Sequence, residues 1–195
     1  MIHRSFARQA ATECQPRASW LSFGSFEGLV EPVKAAGIRL IAQVQTLEAV
    51  SAAIRFGADA IVVQGHESGG HGASAASTFT FVPEAADVCR AVCEELGIPR
   101  VPIVAAGRVT DGRQIAAAFM LGADGVVMGT RLTATPEATY REATRAALLA
   151  APSEAAASPG TLRTRLYDVL SPHAWPEVRS ADTSTEHGGQ PLTCF

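Results

Sequence analysis

Long apolar runs are missing from this sequence, since no segment approaches the ~20 consecutive apolar residues that a membrane-spanning helix needs. A basic face is missing too, because 16 lysines and arginines stand against 19 acidic residues and the net charge is -3. The four cysteines form neither a CxxC pair nor a metal-ligand spacing. We therefore expect no membrane, no nucleic acid and no metal among the partners of this chain.

Cysteine placement and the N-terminal charges bear on the cellular compartment. Cys89 and Cys93 lie four residues apart in a helical pattern, which favours core or surface thiols in a reducing compartment. The N-terminal segment carries Arg4, Arg8 and Arg17 but lacks the apolar stretch of a secretory signal. A cytoplasmic location is the expectation. A mitochondrial transit peptide stays open for this segment, as does a helix of the fold.

Helical patterns alternate with short apolar runs through most of the chain. At 195 residues and 47% hydrophobic content, the chain can bury one core. Strands are predicted at residues 20–24, 38–44, 60–63, 101–105 and 125–128, and helices at 26–36, 46–56, 83–96, 111–121 and 136–150. Pro83 and Asp111 suit the first positions of two of these helices. Five βα units in succession, with strands that are apolar throughout, indicate a parallel sheet covered by helices.

One internal repeat favours a particular arrangement of these units. Residues 56–65, FGADAIVVQG, and residues 121–130, LGADGVVMGT, are near copies of one helix-end, strand and loop element. The glycine in each copy suits a left-handed helix C-cap. Repeated units of one geometry favour a TIM (β/α)8-type barrel of the α/β class over a doubly wound sheet.

The segment QGHESGGH at residues 64–71 directly follows the predicted strand 60–63. In α/β barrels and open sheets, ligands bind at the carboxyl ends of the strands. Glycines let the backbone approach a flat or anionic ligand, and His71 can titrate near neutrality. The segment is a candidate active-site loop, although a glycine-rich turn with a solvent-facing histidine is the alternative.

Two further glycine loops follow the predicted strands 101–105 and 125–128, at Gly107 and Gly129. The last two loops of a barrel commonly form a phosphate site from backbone N–H groups. These two loops are therefore candidates for binding a phosphate, with plain tight turns as the alternative reading.

Taken in order, QGHESGGH at 64–71, AAGR at 105–108 with DGR at 111–113, and VMGTR at 127–131 resemble the motifs of the nitronate monooxygenase family, the 2-nitropropane dioxygenases. The resemblance runs from about residue 20 to residue 176. It implies an FMN-dependent TIM barrel that oxidises alkyl nitronates with O2 to a carbonyl compound and nitrite. Its implied partners are FMN, O2 and a small-molecule nitronate or nitroalkane.

The resemblance also implies roles for single residues. His71 would be catalytic, either as a base toward the α-proton of a nitroalkane or as a hydrogen-bond donor to the nitro oxygens. Gln43 and Gln64 would hydrogen-bond the flavin ring, with exposed loop amides as the alternative. Glu67 would brace the loop, and His66 would face solvent. The remaining cofactor-binding residues are Gly69 and Gly70, which would pack against the flavin, and Gly107, Arg108, Val127, Met128, Gly129 and Thr130, which would hold its phosphate.

The sequence departs from the family in two places. Arg108 stands where many members have a second glycine, which is costly if that position needs a positive φ. Only five of eight βα units are found and the first three are missing, so five strands cannot close a barrel and their edges are expected to stay unpaired. A partial product is favoured over completion by a second chain.

Three units and three functions are predicted. Residues 1–150 form a partial FMN-binding (β/α) barrel, residues 151–179 a linker and closing segment packed on it, and residues 180–195 a mobile tail. The leading function is the FMN-dependent nitronate monooxygenase. The alternatives are a flavin-dependent enoyl-acyl-carrier-protein reductase, in which we would expect an acidic residue at Gln64, and a fragment without catalysis. The oligomeric state is not predicted.

Overall fold

The main sheet has five parallel strands that lie side by side in chain order. The computed structural model describes residues 13–23, 26, 28–72 and 76–150, with the backbone of 163–164 and 192–194. The strands, in spatial order, are β1 Ala18–Ser22, β2 Arg39–Val44, β3 Ala60–Gln64, β5 Ile103–Ala106 and β6 Gly125–Val127. A doubly wound sheet would reverse its order at a switch point, whereas this order runs one way as in a barrel. The predicted α/β class and the partial barrel are confirmed.

Helices connect the strands. They are α1 Val30–Ala35, α2 Leu47–Arg55, α3 Thr78–Leu96, α4 Gly112–Met120, α5 Thr130–Thr133 and α6 Glu142–Ala150. Asp111 caps α4 as predicted, in a capping box with Gln114. The predicted start of α3 at Pro83 is wrong, because Ser77 accepts a hydrogen bond from the N–H of Thr80 and lets the helix begin a turn and a half earlier. The helix predicted at 136–150 begins only at Glu142.

The two faces of the sheet have different surroundings. Side chains that alternate along each strand share a face, and one face packs against the helices. Its buried strand residues are Leu40, Ala42, Val44, Ile61, Val63, Ile103 and Ala105, which contact Val50, Ile54, Phe81 and Cys89 of α2 and α3 in one core cluster. The other face carries Trp20 and Ile41, which pair with each other, and Val62, which pairs with Gln43. It ends in Gln43 and Gln64. Trp20, on the first strand, is 44% exposed.

The internal repeat holds the amino end of the sheet together. In the first copy, Asp59 Oδ2 accepts the N–H of Leu40 on β2 at 2.7 Å and an ammonium hydrogen of Lys34 at 2.6 Å. In the second copy, Asp124 Oδ2 accepts the N–H of Ile103 on β5 at 2.8 Å. Each aspartate therefore ties the start of its own strand to the strand before it. The glycines of the two copies have φ of +83° and +100°, which confirms the predicted C-cap geometry.

We expect Asp124→Asn to lower the free energy of unfolding at pH 7 by about 1 kcal/mol, because it removes charge from the hydrogen bonds to Ile103 and Arg100. Partial burial raises the pKa of Asp124, but the Arg100 guanidinium and the Ile103 N–H outweigh it and hold that pKa below 3.8. The stabilisation is therefore present above pH 3.8 and is lost as the pH falls through the lowered pKa. Urea unfolding across this pH range measures it.

Asp87→Asn is the matched control, because Asp87 pairs with Arg90 on the exposed side of α3. Exposed pairs at this spacing contribute only a few tenths of a kcal/mol. Equal losses in the two variants at pH 7 would contradict the role assigned to Asp124.

A second, small sheet lies beyond the end of β3. Strand β4, Gly70–Gly72, pairs antiparallel with β8, Leu192–Cys194, and β8 pairs with β7, Arg163–Thr164. Residues 192–194 lie in the segment expected to be a mobile tail, and they pair as a strand here because backbone pairing with β4 needs no hydrophobic pattern. The N-terminal helical pattern and the linker predicted from residue 151 lie outside the described residues. No helix in the described ranges is long and apolar enough to cross a bilayer.

Candidate active site

The predicted site residues collect at the carboxyl edge of the main sheet. Gln43 and Gln64 lie on β2 and at the end of β3. Beyond the sheet lie three segments, which we name the His71 loop (residues 65–72), the Gly107 segment (107–110) and the Gly129 segment (127–130). A Cβ built on Gly69 would lie 3.2 Å from Thr130 Oγ1, so the His71 loop touches the Gly129 segment. The fold therefore brings together motifs that are far apart in the sequence.

The Gln64 side chain is the centre of a buried amide network. Its Oε1 accepts hydrogen bonds from Gln43 Nε2 and Gln45 Nε2, both at 2.5 Å. Its Nε2 donates to Ser68 Oγ at 2.6 Å and to the carbonyl oxygen of His71 at 3.0 Å. These four bonds fill the hydrogen-bonding capacity of a primary amide. Gln64 therefore holds the His71 loop, and a hydrogen bond from it to a flavin would require one of the four bonds to break.

The network continues to the first strand through Gln43. Gln43 Oε1 accepts hydrogen bonds from Trp20 Nε1 and from Ser22 Oγ, both at 2.9 Å. Trp20 Nε1 also lies 2.9 Å from Ser22 Oγ. The polar chain thus runs from β1 through β2 to the His71 loop. Sequence reasoning missed Trp20, Ser22, Gln45 and Ser68, although the alternation of Trp20 with Ser22 and of Gln43 with Gln45 is the signal of one shared face.

His71 is half-buried at the rim of the sheet. Its ring meets the ring of Phe23 edge to face, with 6.2 Å between centroids and 73° between planes. Its backbone is fixed by the Gln64 amide and by the β4 pairing, and Gly70 reaches the required turn with φ of +76°. Among the described residues no atom lies within 4 Å of a Cβ built on Gly70, so the described part of the chain leaves space beside the loop. A ligand at this rim can approach the imidazole and the loop backbone together.

Glu67 and His66, in the same loop, have different surroundings. Glu67 Oε2 accepts hydrogen bonds from the N–H and the hydroxyl of Thr78, at 2.8 and 2.9 Å, which matches the bracing role expected of it. Partial burial raises the pKa of Glu67, but hydrogen bonds from Thr78 and from its own N–H lower it below 4.5 overall. The His66 side chain is 46% exposed, as expected for a solvent-facing residue.

The Gly107 and Gly129 segments present backbone donors at the same edge. Among the described residues, the N–H groups of Arg108, Gly129 and Thr130 donate to no acceptor in the chain. A Cβ built on Gly129 would meet no atom of the described residues within 4 Å. Open space beside unpaired N–H groups suits an anionic oxygen. The Arg108 guanidinium is exposed and makes no ion pair among the described residues, so it is available to the same anion.

Arg108 adopts the conformation that the sequence analysis identified as costly, with φ of +54°. A non-glycine residue in this left-handed region loses ~1 to 2 kcal/mol to contacts of its Cβ. We expect the free energy of unfolding of Arg108→Gly, measured with urea, to exceed that of Arg108→Ala by about 1 kcal/mol. Both variants lose the guanidinium, and only glycine relieves the strain. Equal stability of the two variants would show that no strain is stored there.

A sequence model of the nitronate monooxygenase family matches residues 7–157. Nitronate monooxygenase npaC of Metarhizium robertsii is 38% identical over 190 residues, which cover 91% of this chain and 50% of that protein. Two solved structures are similar. FabK from Thermotoga maritima has a TM-score of 0.71 and 27% identity over 85% of this chain, and nitroalkane oxidase from Streptomyces ansochromogenes has 0.63 and 24% over 83%.

The chain spans about half the length of these relatives. It covers 50% of the Metarhizium protein, 48% of the FabK chain and 45% of the nitroalkane oxidase chain. The five described parallel strands agree with that share of an eight-stranded barrel.

Proposed function

Because the chain belongs to the nitronate monooxygenase family, we propose that it carries the flavin-binding and substrate-facing half of an FMN-dependent barrel. The reaction is the oxidation of an alkyl nitronate by O2 to a carbonyl compound and nitrite. The observation that supports it best is the anchoring of the His71 backbone by Gln64, at 3.0 Å, in a loop that approaches both the Gly107 and the Gly129 segment. An imidazole held at the edge where those segments offer unpaired backbone donors supports the proposal.

The residues at the rim fit an FMN phosphate. The unpaired N–H groups of Arg108, Gly129 and Thr130 and the free guanidinium of Arg108 are donors without an acceptor in the described part of the chain. Glycine at 129 leaves room for a phosphate oxygen to approach the backbone. FMN would supply the electron-accepting chemistry that no side chain here can perform.

His71 is the proposed catalytic residue. With a neutral nitroalkane its imidazole takes the α-proton, and with a preformed nitronate an imidazole N–H donates to a nitro oxygen. Either task requires a fixed ring. Phe23 packs against the edge of that ring, and Gln64 holds the backbone of the same residue.

Gln43 and Gln64 divide the work predicted for them. Gln43 Nε2 donates one of its two hydrogens to Gln64 Oε1. Its second hydrogen has no acceptor among the described residues and is therefore available to a flavin ring. Gln64 acts through the loop that it holds. The glycines of that loop, Gly69 and Gly70, let it approach a flat ring closely.

The decisive experiment is purification followed by a nitrite assay. The proposal expects the chain to bind FMN, seen as a visible absorption band, and to release nitrite from a nitronate in the presence of O2 without consuming NAD(P)H. Oxidation of NAD(P)H with an enoyl thioester, and no nitrite, would support the enoyl-acyl-carrier-protein reductase alternative instead. Failure to retain FMN under saturating flavin would support the fragment without catalysis.

A cytoplasmic location is proposed on the state of the thiols. Cys89 and Cys93 are buried free thiols whose sulfurs lie 3.9 Å apart. Burial and the neighbouring sulfur raise the pKa of Cys89 to about 11, so it stays protonated and unreactive. Thiols held this way suit a reducing compartment.

A further inference from the structure

Thr78, the first residue of α3, lies between two of the segments that leave the sheet. Its N–H and its hydroxyl both approach Glu67 Oε2 in the His71 loop, at 2.8 and 2.9 Å. Its hydroxyl oxygen also lies 3.2 Å from the carbonyl oxygen of Gly107. One threonine therefore contacts the proposed catalytic loop on one side and the proposed phosphate segment on the other.

Two glycines make room for this side chain. A Cβ built on Gly65 or on Gly107 would overlap the Thr78 hydroxyl oxygen. Gly107 also has φ of +130°, a conformation that only glycine adopts readily. The N–H of Gly65 donates to the carbonyl oxygen of Ala106 at 2.9 Å, so the backbones of the two segments are paired at the point where Thr78 enters.

The contacts exceed what an ordinary helix start requires. Ser77 already caps α3 by accepting from the N–H of Thr80. Thr78 donates its own N–H to Glu67, which satisfies a further unpaired donor of the first turn. Its hydroxyl adds nothing to the cap, because the acceptors around it belong to Glu67 and Gly107 and not to the helix.

The charge of Glu67 sets the direction of the hydroxyl hydrogen. A hydroxyl has one hydrogen, and the ionised carboxylate at 2.9 Å is a stronger acceptor than the Gly107 carbonyl at 3.2 Å. The hydrogen therefore goes mainly to Glu67, and the threonine oxygen fills the gap between the segments. Removing the hydroxyl leaves a partly buried carboxylate with one donor fewer and removes a side-chain contact that the two segments share.

We propose that Thr78 and Glu67 form a clamp that fixes the His71 loop relative to the Gly107 segment, which makes Thr78 a positioning residue. The clamp deepens the proposed function and rests on it, because that function gives the two segments their tasks of presenting His71 and holding the flavin phosphate. Both segments contact this one side chain, so loosening it should increase the motion of both.

Hydrogen exchange of the whole chain without added flavin tests the clamp independently of activity. Thr78→Val keeps the shape and removes the hydroxyl, and Thr78→Ser keeps the hydroxyl. We expect Thr78→Val to raise exchange about tenfold in peptides covering residues 65–72 and 107–110, relative to peptides of α2, and Thr78→Ser to restore slow exchange. Thr80→Val is the matched control, because its hydroxyl hydrogen-bonds to Ser77 on the exposed side of the same helix and, in the described part of the chain, to neither loop segment.

Several results would overturn the clamp. They are acceleration in one segment only, equal acceleration in α2, no difference from Thr80→Val, and failure of serine to restore protection. Glu67→Ala should cause less change when it is added to Thr78→Val than when it is made alone, since the two substitutions remove the same hydroxyl contact, although Glu67→Ala also removes the acceptor of the Thr78 N–H. Additive effects would oppose the clamp.

Flavin titration separates the clamp from the function on which it rests. If the wild-type chain binds FMN, Thr78→Val should weaken that binding several-fold and Thr78→Ser should not. If the wild-type chain binds no FMN while the exchange pattern is as expected, the clamp stands and the proposed function fails.

Discussion

His71→Ala should retain FMN and lose turnover of neutral nitroalkanes by a factor of 10² or more, because general-base catalysis typically contributes ~10² to 10⁴-fold. The His71 imidazole lies at the rim against Phe23, where it can reach a substrate. The Glu67 carboxylate of the same loop is hydrogen-bonded to Thr78 instead. Preformed nitronates have already lost the α-proton, so their turnover should fall far less, by about tenfold for one lost hydrogen bond. Nitrite release from the two substrate forms gives both numbers.

His66→Ala is the control, since it removes the same side chain five residues away in the same loop. The His66 side chain is 46% exposed and is assigned no role in the reaction. Its variant should match the wild type with both substrate forms. If His71→Ala turned over neutral nitroalkanes at the wild-type rate, another group would have to take the proton, and His71 would lose its proposed role.

Gln64→Leu should destabilise the chain by about 3 kcal/mol and disorder the His71 loop. Leucine matches the volume of glutamine but leaves the amides of Gln43 and Gln45 and the carbonyl of His71 without their partner in a site where Gln64 is 5% exposed. An unpaired buried polar group costs ~1 to 3 kcal/mol, and some of these groups will find water. Urea unfolding measures the loss, and flavin affinity should fall with it.

Gln64→Glu refines the same test. A carboxylate still accepts from Gln43 and Gln45, but it cannot donate to the carbonyl oxygen of His71. Expressed as free energies, the loss of activity in Gln64→Glu should therefore exceed its loss of stability. Gln114→Leu, which removes the side-chain acceptor at the exposed cap of α4, should cost about 1 kcal/mol. If Gln64→Leu were no less stable than Gln114→Leu, the Gln64 network would not be what stabilises the His71 loop.

Much of the fold follows from local pattern. The strands of the main sheet were predicted to within about two residues, because apolar runs bounded by glycine caps determine where a strand lies. The repeat with its aspartate was visible as a pattern, but its carboxylate hydrogen bonds to Leu40 and Ile103 were not, since those partners lie on the preceding strand. The spacing of residues in the sequence does not indicate which backbone N–H will donate a hydrogen bond to a partly exposed aspartate.

The site was predicted less completely. The motif residues lie together at the carboxyl edge of the sheet, but which atoms they use depends on neighbours from other units. The motif predicts a hydrogen bond from Gln64 to a flavin, but it does not predict the four hydrogen bonds of Gln64 to protein atoms. Thr78 carried no signal beyond its place before a helix. The φ of +54° at Arg108 was left open, because arginine itself disfavours that conformation and only the path of the chain imposes it.

The duplicated unit shows how one backbone element acquires two chemistries. Both copies keep the Gly-Ala-Asp start, at 57–59 and 122–124, and both continue as a short apolar strand. Up to that point their other differences exchange one small or apolar residue for another, whereas the last two positions differ in chemistry: the first copy has Gln64 and Gly65 and the second has Gly129 and Thr130. Since the aspartates at the opposite end register the strands, these end positions can change without disturbing the sheet. One copy can then specialise in organising a loop and the other in offering bare backbone to an anion.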